Sequence, residues 1–182
     1  RIHGLYQQFL AGLAAQGVLV GVASKNDPGP VAEALARPDL LLPADVFFPV
    51  ETNWGPKSES LRRIARAWNI GFDSVIFVDD NPLEIEEVQR AIPEVECHLF
   101  PHSDSNAVLE LLDKLRLRFA RERTTEEDWL RAASLRHRVQ INEGLTSGDP
   151  EALLSGLEAR IHLSFARQPF DPRSLELLNK TN

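Results

Sequence analysis

The stretch Ser74-Val75-Ile76-Phe77-Val78-Asp79-Asp80-Asn81-Pro82 constrains the fold more than any other part of the chain. Val75, Ile76, Phe77 and Val78 are β-branched or aromatic with no polar break. That is the pattern of a strand buried on both faces, as in parallel sheets covered by helices. Asn81-Pro82-Leu83-Glu84 then reads as a helix start, with Asn81 at the N-cap, Pro82 at the first helical position and Glu84 closing a capping box. In open α/β sheets, ligands bind beyond the carboxyl ends of the strands. Asp79 and Asp80 fall at that end.

The preceding and following residues supply the companions such a strand needs. Residues 5–16 carry a helical stripe of Leu5, Phe9, Leu10 and Leu13, and Gly17 is a natural stop. Residues 18–23 form a second buried run that ends in Ser24-Lys25-Asn26-Asp27. A short helix is expected over 31–36, after a Pro28-Gly29-Pro30 loop, and a short strand over 45–48, broken by Pro49. Pro56 opens a helix whose buried stripe is Leu61, Ile64, Ala65 and Trp68. A helix over 82–91, a strand over 95–100 and an amphipathic helix over 106–119 complete the pattern. This alternation predicts an α/β fold: a Rossmann-like parallel sheet with helices on both faces. Charge becomes dense from Arg116 onward, so the core is expected over 1–121, with a helical linker over 122–157. Residues 160–165 alternate apolar and polar, as in a half-exposed strand of a second domain beginning at 158–182.

Composition narrows the function classes. A net charge of -7 argues against a nucleic-acid surface, which needs a clustered basic face. The single cysteine excludes an internal disulfide and suits a reducing, cytoplasmic compartment. No apolar run approaches the length of a membrane span. A chain without Met that opens on Arg1 and stops at Asn182 reads as a piece of a longer polypeptide.

Three polar positions fall at element boundaries on one expected rim of the sheet: Ser24, Lys57 and Asp79. A hydroxyl at a strand end can donate to a phosphoryl oxygen, or simply satisfy its own turn. Lys57 stands at a helix N-terminus, where the dipole disfavours a cation. It either faces an anion or is a solvated lysine. Adjacent Asp79 and Asp80 either form an ordinary turn or share a cation. Mg²⁺ is the natural one, because it takes few carboxylates and completes its shell with water and phosphate oxygens. Consecutive strand residues point to opposite faces, so Asp79 is the favoured direct ligand and Asp80 its partner. Glu84 is within reach of a metal too, but capping is the simpler reading.

The segments Val20-Gly21-Val22-Ala23-Ser24-Lys25-Asn26-Asp27, Asn53-Trp54-Gly55-Pro56-Lys57-Ser58 and Val75-Ile76-Phe77-Val78-Asp79-Asp80-Asn81-Pro82 resemble the FkbH-like family of the haloacid dehalogenase (HAD) superfamily. The resemblance extends from the first helix to about Phe100, and Leu177 to Asn182 resembles the entry to that family's acetyltransferase-like domain. It implies a HAD-like core with Ser24 and Lys57 as catalytic phosphate-contacting groups and Asp79 and Asp80 at a Mg²⁺ site. Lys25, Asn26, Asp27 and Asn81 would shape the substrate entrance. The implied activity is that of a glyceryl transferase/phosphatase, which dephosphorylates 1,3-bisphosphoglycerate, a phosphorylated three-carbon substrate. It then loads the glyceryl group onto an acyl carrier protein in polyketide biosynthesis. An ordinary small-molecule phosphatase and a non-catalytic carrier-docking module are the alternatives. The superfamily's nucleophile is the first Asp of an Asp-x-Asp motif on a strand before the first helix. This chain has no Asp-x-Asp, so that strand is expected upstream of Arg1, and the chain alone is expected to be inactive. Many relatives carry Cys directly before the motif serine; Ala23 stands there instead, and Cys97 reads as a structural thiol.

Overall fold

The computed structural model describes residues 2–119 and Ser134. The chain divides into two compact units, Arg1–Glu143 and Gly144–Asn182, and every element below lies in the first. The expected linker over 122–157, apart from Ser134, and the expected second domain over 158–182 lie outside the described residues. The element order is α1 (Ile2–Ala15), β1 (Val20–Ser24), α2 (Pro28–Leu35), β2 (Phe47–Thr52), α3 (Lys57–Trp68), β3 (Ile76–Asp79), α4 (Pro82–Ala91), β4 (Glu96–Leu99) and α5 (Ser105–Arg118). None of the described helices is long and apolar enough to cross a membrane.

Local chemistry explains most of the boundaries. α1 ends because Gly17 adopts a left-handed φ of 83°, which lets its N–H reach back to the Ala14 carbonyl. Asn69 ends α3 in the same way at φ 53°, a conformation that asparagine tolerates better than most residues. α2 starts at Pro28, three residues earlier than expected. The prolines that suggested a loop occupy the first turn, where an N–H has no intrahelical partner to lose. β2 also departs from expectation, because Pro49 lies inside the strand. The ladder accommodates it by slipping: Val20 pairs with Phe47, but Val22 pairs with Val50. β2 therefore carries one extra residue there, a bulge at the position that cannot donate a ladder bond.

β1 pairs with β2 and β3 pairs with β4, both in parallel. Helices cover both faces, as the alternation of β3 requires. Val75 and Phe77 pack with Leu61 and Ala65 of α3 and Val88 of α4. Ile76 and Val78 turn the other way, toward α1 and the Val108, Leu111, Leu112 and Leu115 stripe of α5. One expectation needs correcting: the described strands form two parallel pairs, not one continuous sheet. Between them lies an apolar cavity of about 500 Å³, with β1 on one side, β3 on the other, and Tyr6, Leu13, Ile64 and Leu115 among its walls. Hydrophobic patterning reports that a strand is buried; it does not report which strand is its neighbour, and here β1 and β3 are not neighbours.

Candidate functional site at the strand ends

β1 ends in Ser24, paired with Thr52 of β2, and β3 ends in Asp79. α3 begins beside them with Lys57, which is only 8% exposed. The ammonium donates to the carbonyl of Ala23 on β1 and, at 3.0 Å, to Oδ2 of Asp79 on β3. It also stands 6.0 Å from the centre of the Phe77 ring. One cation thus joins the ends of both strand pairs. The structure thereby resolves the question of a lysine at a helix N-terminus: Lys57 faces an anion, and the ion pair offsets the dipole penalty.

Asp79 is held from its other side as well. Its Oδ1 accepts the backbone N–H of Asn81 at 2.9 Å, and its carbonyl accepts from Phe100 at 2.8 Å. Asn81 caps α4 through Oδ1, which accepts from Leu83 N at 3.0 Å. The expected capping box does not form, because the Asn81 N–H that Glu84 would have accepted is taken by Asp79. Glu84 instead pairs with Lys25 at 2.7 Å, and its Oε2 is buried with no hydrogen-bond partner among the described residues.

The remaining expected residues lie around this pair. Ser24 is half-buried and its carbonyl accepts from Asn53 N at 3.1 Å, so it is adjacent to the Ala23 carbonyl that Lys57 holds. Asn26 turns its amide oxygen onto Asp27 N at 2.8 Å. Asp27 accepts from the indole of Trp54 at 3.0 Å, which ties the loop after β1 to the loop after β2. Trp54 is otherwise 69% exposed. Asp80 is exposed and makes no hydrogen bond or ion pair to a described residue. Cys97 is a free thiol on β4; burial pushes its pKa up, which leaves it a weak nucleophile.

No group of three or more His, Cys, Asp or Glu side chains suited to a metal occurs among the described residues. Two consecutive carboxylates nevertheless stand at the β3 end, Asp79 and Asp80. Each Asp79 oxygen uses one hydrogen bond and keeps acceptor capacity, and Asp80 is open. Such a donor set suits Mg²⁺, which binds through one or two carboxylates and leaves the rest of its shell to water and phosphate.

The fold has a counterpart of known structure. The chain is similar to the N-terminal part of the protein BF1531 from Bacteroides fragilis, a crystal structure containing a phosphatase domain complexed with Mg. The match has a TM-score of 0.60 and 34% sequence identity, and it covers 64% of this chain. The chain spans only 31% of the length of that protein chain. No protein-family model matches the chain, and no curated protein matches it.

Sequence reasoning missed the parts that link elements across space. The Lys25–Glu84 pair joins residues 59 positions apart, and Trp54 reaches Asp27 across 27. Glu87 of α4, which holds the start of α3, was also overlooked. Its signal was its place one helical turn after Glu84, a spacing that sets both carboxylates on the same side of α4.

Proposed function

We infer that this chain contributes to a Mg²⁺-dependent, HAD-like phosphatase domain. The observation that carries this reading is the Lys57 ammonium shared between the ends of β1 and β3, next to Ser24 and Asp79. The likeness to a solved Mg-bound phosphatase domain supports it. Lys57 and Ser24 would hold phosphoryl oxygens, and Lys25, Asn26 and Asp27 would frame the entrance. Asp79, with Asp80, would hold Mg²⁺. The ion would neutralise charge on the transferring phosphoryl group, the main task of protein groups in such chemistry.

The cavity between the two strand pairs supports the expectation of a further strand. Among the described residues each flank has a free β edge, and mostly apolar side chains line the walls. An additional strand running through it would bring its own carboxyl end beside Lys57 and Asp79. That is the place for the nucleophilic aspartate that the resemblance implies and this chain lacks.

The finer reading is FkbH-like glyceryl transfer from 1,3-bisphosphoglycerate to an acyl carrier protein. The three motif segments support it. In the full-length protein, Asp79→Asn should abolish Mg²⁺-dependent phosphate release, and unchanged release would remove Asp79 from the metal site. Incubation with the acyl carrier protein and 1,3-bisphosphoglycerate, followed by intact mass, separates the finer reading from a small-molecule phosphatase. A gain equal to one glyceryl group supports transfer. Phosphate release with no mass gain leaves the phosphatase.

A further inference from the structure

The first turn of a helix leaves backbone N–H groups without intrahelical partners, and an N-cap side chain usually serves them. α3 has Pro56 at that position and no capping side chain of its own. The acceptor comes from the next helix instead. Glu87 of α4 takes the Ser58 backbone N–H on Oε2 at 3.0 Å and the Ser58 hydroxyl on Oε1 at 2.5 Å. Ser58 is 4% exposed, so both bonds are shielded from water. Ser58 directly follows Lys57, and α4 itself is seated on Asp79 through the Asn81 N–H. The helix that carries the cation and the strand that carries the acid are therefore joined by a second route, behind the Lys57–Asp79 contact.

We propose that Glu87 is a positioning residue for Lys57. It clamps the first turn of α3 to α4 and places a carboxylate at the positive end of the α3 dipole. The Lys57 ammonium is thereby held between the Ala23 carbonyl and Asp79. Glu87 acts through the backbone and touches no reacting group. The effect on turnover rests on the function proposed above; the clamp does not.

Glu87→Gln in the full-length protein tests this, because the amide keeps the size and shape but turns one of the two acceptors into a donor. Exchange of the Ser58 amide should quicken at least about tenfold, since its hydrogen bond to a charged acceptor is lost or weakened. Unchanged exchange would overturn the clamp. With p-nitrophenyl phosphate and Mg²⁺, kcat should fall about ten- to a hundredfold while KM changes little, the signature of a displaced catalytic group. Glu87→Asp should recover part of that loss. Faster exchange with unaltered kcat would reduce Glu87 to a plain helix cap and overturn the positioning role. If the unmutated protein releases no phosphate, the functional reading fails. The crystal structure of Glu87→Gln then decides: a Lys57–Asp79 distance lengthened beyond hydrogen bonding supports the proposal, and an unchanged one refutes it.

Discussion

Replacing Lys57 by methionine keeps the length and apolar stem of the side chain and removes only the ammonium. The Lys57 and Asp79 side chains are 10% and 12% exposed, so the pair is largely withdrawn from water. Without the cation, the Ala23 carbonyl loses a donor and the Asp79 carboxylate keeps only the Asn81 N–H. Breaking a buried pair from one side costs about 3–5 kcal/mol. The surviving Asn81 contact places this case near the lower end, at about 3 kcal/mol. With a urea m-value of about 2 kcal/mol/M, the unfolding midpoint should drop by about 1.5 M. Tryptophan fluorescence can follow the transition, because Trp68 is buried against the core. The double variant Lys57→Met/Asp79→Leu supplies the control. Exchanging a whole buried pair for apolar groups is often neutral, so it should return to within about 1 kcal/mol of the parent. A midpoint unmoved in Lys57→Met, or a double variant as unstable as the sum of its singles, would refute the argument that the two groups form one buried unit.

Burial pushes the Tyr6 phenol up to about 12, so the folded state favours its neutral form. Stability from this group is complete below its ordinary pKa of about 10 and is lost as pH rises toward 12, and Tyr6→Phe should flatten that alkaline limb in unfolding titrations. At the acid end, the hydrogen bond from His98, joined by Arg118, holds the Glu96 carboxyl below its usual range. That contribution is present above about pH 4.3 and disappears as pH falls through the lowered value, so Glu96→Gln should make acid unfolding less steep. Gly21→Ala should destabilise by about 1–3 kcal/mol in the same urea assay. Its Cβ would stand 3.0 Å from the Trp68 ring and 3.3 Å from the Pro49 carbonyl, with no flexible end to yield.

Secondary structure was legible wherever burial and local chemistry agreed. The apolar run ending at Asp79, the Pro82 helix start and the Leu61-Ile64-Ala65-Trp68 stripe all stand as the periodicity predicts. Pro49 misled because a single breaker was weighed without its partner strand, whose register absorbs the extra residue. Glu84 misled for a related reason. A capping box is a local pattern, and Asp79 reached the same N–H from the strand side first. The placing of Ser24 and Asp79 at strand ends and of Lys57 at a helix start was legible from the apolar runs and Pro56, and the structure adds that Lys57 bonds to both the Ala23 carbonyl and Asp79. The division of the sheet could not be read this way. Pairing is a relation between segments, and no window of residues around β1 or β3 encodes it.

That division also governs how the isolated polypeptide should behave in a concentrated solution. Among the described residues two backbone margins without strand partners face an oily cleft; such margins are adhesive, and neither Pro nor Lys interrupts β1 or β3 to repel a visitor. Extended segments from other copies will compete for the opening, so cross-chain stacking is the failure to expect during expression. A strand threaded through that cleft should therefore raise the yield of soluble protein.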